Sequence, residues 1–435
     1  MNFIKFALKN GADDVIIEKN SGETRQVRFA NNNVQIFNIW NILSYEIFLS
    51  YKKRVVGTVV LDSSEKAILE AIKNLIKYAK MTKPSQDYFG IAEGPFKYKK
   101  IPKIYDKKIV DADLLDITES MINPALENSK NTAGIVYMDY NERELETSTN
   151  VSASEKSTSI KLSIRAFNGD EETGHAASCS RMMNSVYPEK IGRKAGEISK
   201  QVKNPEKLEP GEYDVIFDPL SAANLLSVAG AVSSAFYVDS GMSFLRKKMN
   251  KKVASAKVTL LDDGSIANGF QSTAFDSEGV PTRKTVIIDK GVLKSYLHNT
   301  STAKRYNTKT TANAGLIVPQ PRNVILEKGD ISKEKLFEGF NGLYITNVWY
   351  TRFQNYLTGD FSTMPRDGIF LIKDGEIVKS VKDIRVSDNL QRMLENISGI
   401  SNKPEWIIWW GLDFQLPVFT PYFIVKDVNI TQSKM

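Results

Sequence analysis

Apolar positions alternate with polar ones through most of the first sixty residues. Asp14–Lys19, Thr24–Ala30, Val34–Ile39, Leu43–Tyr51 and Arg54–Leu61 are rich in β-branched and aromatic residues and are punctuated by Asn and Gly, which predicts short strands in an antiparallel meander. The period then changes. Ile68, Leu69, Ile72, Leu75, Ile76 and Ala79 recur at helical spacing behind the cap candidates Asp62-Ser63-Ser64. A proline-bearing loop is expected over Lys83–Lys108, then a helix over Asp113–Glu127 that Pro124 must end or kink. Strands are expected at Gly134–Tyr140, Glu144–Val151 and Ser157–Phe167, and a helix over Pro188–Val202. His175 falls in what reads as a polar loop after Gly174.

Two prolines and a glycine make 204–211 a linker, dividing the chain into domains at 1–203 and 212–435. The second part opens with a strand at Tyr213–Phe217. Asp218 is a natural N-cap and Pro219 a natural first residue for a helix running to Tyr237. Leu225, Val228, Ala229, Val232 and Phe236 form its expected buried stripe, with Ser227 off the stripe and facing a cavity. Hairpins are expected at Ile287–Leu293 and Leu371–Ile377, the latter turning on Asp374-Gly375. The fold class is α+β: an N-terminal α/β domain with a largely antiparallel sheet, then a β-rich, barrel-like C-terminal domain.

Composition narrows the function. Of 435 residues, 42% are hydrophobic and 25% charged, the mix of a soluble globular protein. No apolar run approaches the roughly 20 residues that span a bilayer. The segment Trp406–Trp410 reads as a buried strand or an interface, bracketed by Lys403, Glu405 and Asp413. The first residues offer no signal-peptide core, and one cysteine, Cys179, excludes an internal disulfide; both point to the cytoplasm. The net charge of +7 is scattered. Its densest cluster, Arg246-Lys247-Lys248 with Lys251 and Lys252, has no aromatic ladder beside it and reads as a solvated loop, so nucleic acid is not an expected partner.

The two histidines, His175 and His298, are far apart, and no His-Glu-x-x-His, phosphate loop or Gly-x-Ser-x-Gly elbow occurs. Asp262-Asp263 and Asp111 with Asp113 read as turn or cap residues. The residues by themselves therefore indicate a two-domain protein with no self-evident catalytic site.

A string of motifs nevertheless resembles the TldD/PmbA family. Tyr213–Pro219 is followed by Ser243-Phe244-Leu245, Leu260–Gly264, Phe275–Arg283, Asp289–Leu297, Pro321-Arg322-Asn323, Thr358–Ser362 and Asp388-Asn389-Leu390, in family order. The resemblance implies a dimerising two-domain protein whose TldD branch is a zinc metallopeptidase with a His-Glu-x-x-x-His helix. Here Ser227, Val228 and Val232 stand where the histidines and glutamate belong, the pattern of the PmbA/TldE branch. The implied role is a partner with no metal or catalytic residue of its own, pairing with a zinc-bearing TldD-type subunit that cleaves small or unfolded peptides. Alone, the chain is expected to form a homodimer. Asn355, Thr358, Gly359 and Asp360 are candidates to line a peptide groove. The alternatives are an autonomous hydrolase with an unrecognised site involving His298, or a standalone homodimeric peptide-binding module.

Overall fold

The architecture was analysed in a computed structural model, which describes residues 2–409 and 414–432. The first half is a six-stranded antiparallel half-barrel in the order β3-β2-β1-β4-β5-β6. Its strands are β1 (Val15–Ala30), β2 (Asn33–Tyr51), β3 (Arg54–Val60), β4 (Asn131–Thr147), β5 (Ser152–Phe167) and β6 (Thr173–Ser180). The meander over β1–β3 is as the alternation indicated. Several expected strands are fused, however: Ser21 and Gly22 continue the ladder opposite Leu43 and Ile42 rather than turning.

Four helices cover one face of this sheet. Helix α1 (Phe3–Lys9) and α2 (Glu65–Met81) pack Ile68, Ile72, Leu75 and Ile76 against Val15, Ile17 and Leu49. After a single turn, α3 (Lys107–Val110), helices α4 (Leu114–Leu126) and α5 (Pro188–Gln201) bury Met121, Ile122, Ile191 and Ala195 against Val27, Val136 and Leu162. Helix α4 ends at Leu126, just past Pro124, because proline has no amide to continue the ladder. Gly192 and Gly196 of α5 face the backbone of Met121 and Ala125 with no room for a Cβ, so the helices cross closely. His175 is not in a loop but on β6, buried. Cys179 shares that strand and burial.

In the second half, the expected linker contributes the short β7 (Glu206–Lys207), paired with Val381 and Lys382. Strand β8 (Gly211–Phe217) leads into α6 (Pro219–Ala231) and α7 (Ala235–Asp239). The expected single helix to Tyr237 is therefore broken after Ala231: the Ser234 hydroxyl caps a second helix by accepting from Phe236 N at 3.3 Å. Phe236 is exposed and not part of the stripe.

A second six-stranded sheet follows: β9 (Leu260–Asp263), β10 (Lys284–Asp289), β11 (Val292–Leu293), β12 (Val324–Leu326), then β18 (Glu405–Ile407) and β19 (Val418–Thr420). The remaining strands are β13 (Gly342–Asn355), β14 (Asp360–Lys373), β15 (Glu376–Lys382), β16 (Ile384–Asn389), β17 (Ile397–Ile400) and β20 (Phe423–Gln432). Pairing β13-β8-β20-β16-β14 and back to β13 closes a five-stranded barrel. Asp374 and Gly375 take φ 49° and 86° at the β14–β15 turn, the left-handed geometry that this dipeptide favours. Ile407, Ile408 and Trp409 are buried within the chain, while Trp410 lies outside the described residues.

The sheet's other face meets the second half at several places. At one end Arg143 grips Glu18 through Nε (2.8 Å) and Nη2 (2.7 Å), reaches Thr273 Oγ1 at 2.8 Å, and lies over the Phe275 ring. At the other, Cys179 packs with Phe270 and Ile408. Among the described residues no helix is long and apolar enough to cross a membrane.

Candidate functional site

Every residue of α6 from Pro219 to Ala231 is buried. Val228 and Val232 belong to the main core. Ser227 faces no cavity: it is fully buried, and its hydroxyl donates to the Asn224 carbonyl one turn back at 2.8 Å. Gly230 closes the helix onto Val324 of β12. A hydroxyl already used and two valines offer zinc no ligand set, and among the described residues no three His, Cys, Asp or Glu side chains are grouped to hold a metal. The positions that the resemblance aligned with metal ligands are dry core.

The hairpin tip holds the proposed groove residues. Asn355 Oδ1 accepts from Leu357 N at 2.9 Å, and Asn389 Nδ2 donates to the Thr358 carbonyl and to Asp360 Oδ1, both at 2.8 Å. Gly359, at φ 92°, rests on Phe244. These bonds explain the tip as a turn, and none of its residues lines the cavity beside Ser163 and Trp349. Asp113 caps α4 and Asp263 a turn at Ser265. Asp262, buried, accepts from Arg322 N (2.6 Å), Asn323 N (2.8 Å) and Asn313 Nδ2 (2.6 Å), holding loops together.

His298 is buried before a short helix, with Nδ1 3.2 Å from Thr302 Oγ1. Burial lowers its pKa to about 4, so it is neutral at pH 7. No carboxylate bonds to its ring among the described residues.

His175 sits in a richer setting. Its Nε2 is 2.9 Å from Ser163 Oγ, and its Nδ1 is 2.9 Å from Asn347 Nδ2. Asn347 Nδ2 also donates to Asp367 Oδ2 at 3.0 Å. Asp367 accepts further bonds from Arg165 Nε (2.9 Å), Thr173 Oγ1 (2.9 Å) and Trp349 Nε1 (3.2 Å). Burial pushes the Asp367 carboxyl up, but Arg165 and the donors outweigh it and hold it below its ordinary value.

The spacing resembles a nucleophile-base-amide triad, yet the hydrogens run the wrong way. An ionised carboxylate only accepts, so the amide nitrogen faces it and its second hydrogen points at His175 Nδ1. The imidazole, kept neutral by burial with a pKa lowered to about 4, must then carry its proton on Nε2 and donate it to Ser163. Ser163 is an acceptor here, not a nucleophile awaiting a base.

That donation leaves the Ser163 hydroxyl hydrogen free, and it borders a cavity of about 700 Å³. The ladder registers build the surface. Ile36, Arg28, Ile135, Ser163 and Ala177 lie directly across from one another on β2, β1, β4, β5 and β6, so they share one face. The next row is Asn38, Gln26, Tyr137, Lys161 and Cys179. Trp349 of β13 also lines the cavity, with Arg165 5.6 Å above its ring. This face is therefore polar, basic and partly apolar where it borders the cavity.

The comparisons agree with this architecture. The model of the PmbA/TldA metallopeptidase C-terminal domain matches residues 210–432. The chain belongs to the PmbA/TldD family. A metalloprotease of Methanothermobacter thermautotrophicus is 33% identical over 239 residues, 53% of this chain and 49% of that protein; the match thus spans about half of that relative's length. Metalloprotease PmbA of Escherichia coli O157:H7 is 25% identical over 410 residues, 91% of this chain and 89% of its own. The crystal structure of TldE from Thermococcus kodakarensis shares the fold at TM-score 0.86 and 23% identity, covering 99% of each chain.

Proposed function

We propose that this PmbA/TldD-family chain is a TldE-type, non-catalytic subunit that pairs in the cytoplasm with a zinc-bearing TldD-type metallopeptidase and helps hold its small or unfolded peptides. The observation that carries the reading is α6 and its C-cap, where Ser227, Val228 and Val232 are packed into core in a fold of this family. A second support is β2. Its residues 33–44 pair only with β1 among the described residues, because β3 ends at Val60, opposite Tyr45. That free edge carries exposed Val34, Ile36, Phe37, Ile39, Trp40, Ile42 and Leu43. An apolar, unpaired edge suits association with another chain or addition of an extended peptide.

The test is peptidase activity on an unfolded peptide, with this chain alone and co-expressed with a TldD-type subunit, each with and without a chelator. The expected result is no activity and no stoichiometric zinc in the lone homodimeric chain, and chelator-sensitive activity in a co-purifying heteromer. Activity in the lone chain overturns the reading in favour of an autonomous hydrolase. Failure to form the heteromer leaves it a standalone peptide-binding module.

A further inference from the structure

The open cavity on the inner sheet face has a charge balance that selects its ligand. Its lining contains no aspartate or glutamate. Arg28 is exposed at its rim and makes no ion pair among the described residues. Arg165 spends Nε and Nη2 on Asp367 Oδ1, leaving Nη1 without a partner among the described residues. His175 is neutral, and Asp367 offsets one of the two guanidinium charges, so one positive charge remains for a ligand. Beside it, the Ser163 hydroxyl is nine-tenths buried and has a hydrogen to give. Ile36, Ile135 and Trp349 supply an apolar wall.

We propose that this cavity receives the C-terminal end of a short peptide with an apolar last residue: the carboxylate against Arg28, Arg165 and Ser163, the side chain against Ile36, Ile135 and Trp349. A single residual positive charge matches a monoanion; a phosphate dianion would be left under-compensated. The apolar wall gives the last side chain a place that a free inorganic anion would not use. Upstream residues of an extended peptide have the free edge of β2, which carries Gln35 and Ile36 into the cavity, as a strand to pair with.

This assignment rests on the peptide-handling reading above, and the two can fail separately. The experiment is calorimetric titration of the full chain at pH 7 with Ala-Ala-Leu as the free acid and as its C-terminal amide. The acid is expected to bind at least about tenfold tighter, the effect of losing charge-assisted hydrogen bonds. Arg28→Gln, at an exposed position that leaves folding intact, is expected to weaken the acid about tenfold and leave the amide unchanged. Equal binding of acid and amide, no binding of either, or displacement of the acid by equimolar inorganic phosphate overturns the assignment. If such a result comes from a chain that still assembles with a TldD-type subunit, the partnership stands and only the cavity's role falls.

Discussion

Helix α6 and the inner face of the β1–β6 sheet present opposite solutions to placing polar groups. In α6 the polar residues are fully engaged at close range: Ser227 donates to the Asn224 carbonyl at 2.8 Å, Ser221 to the Asp218 and Ile345 carbonyls at 2.9 and 2.8 Å, and Asn224 Oδ1 accepts from Thr351. Nothing is left over, and apolar neighbours fill the rest. On the inner face His175 is fully bonded, yet Ser163 keeps its hydroxyl hydrogen and Arg165 its Nη1 beside the cavity. Helix α6 is therefore unavailable to a ligand in this structure. The capacity to bind has to be sought where hydrogen-bonding groups outnumber their partners.

The sharpest way to break that contrast is to put a carboxylate into the dry region. Val228→Glu buries a charge in the main core with no cation beside it; an uncompensated buried charge costs roughly 3–5 kcal/mol. The expected outcome in a thermal melt is a large fall in Tm, or a glutamate that stays protonated, with no gain of peptidase activity. A variant melting like the wild type would mean that α6 borders a solvated chamber.

Ser227→His probes the same helix with a smaller expected loss. From sequence, Ser227 reads as facing a cavity where an imidazole would be tolerated; the fully buried side chain reverses that expectation. A histidine there overpacks the helix and breaks the bond to Asn224, for a loss of about 1–3 kcal/mol. Denaturant unfolding of the variant measures it, and an unchanged midpoint would restore the open-cavity view.

The difference in legibility between the two regions has a physical origin. Amphipathic α2 and the Asp374-Gly375 hairpin announce themselves, because each has one solvated side and a period or turn geometry that follows from it. Helix α6 has no solvated side, so its true boundary at Ala231 and the burial of Ser227 leave no trace in periodicity. Gly22 and Asn41 look like punctuation but lie within long paired strands, since neighbouring strands decide what a ladder tolerates. Strand β6 reads as a loop because Thr173–Ser180 lacks large β-branched residues; its small side chains are what let Trp409 approach His175, with ring centroids 5.0 Å apart. The cavity face draws Arg28, Ser163 with Arg165, His175 and Trp349 from four strands. Only strand register brings them together, and no local motif encodes it. The family resemblance located the fold and gave no indication of this face.

The subtlest expected effect concerns a single proton on His175. In the folded chain its pKa is lowered to about 4 by burial, against an ordinary value of 6.5. The unfolded chain therefore takes up a proton first as the pH falls. The stability contributed by the neutral imidazole is fully present above pH 6.5 and is lost as the pH falls toward 4, at up to about 1.4 kcal/mol per pH unit. His298, lowered to about 4 in the same way, has the same sign, so His175→Gln should remove only part of the acid-side slope. The more telling readout is the tautomer. Nitrogen NMR should find the hydrogen on Nε2 and keep it there down to about pH 4. If the hydrogen is instead on Nδ1, the Nε2 lone pair faces Ser163 and the hydroxyl must donate to it. Ser163 would then be poised as a nucleophile with no hydrogen for a ligand carboxylate, and the inner face would have to be reconsidered as a catalytic surface rather than a binding one.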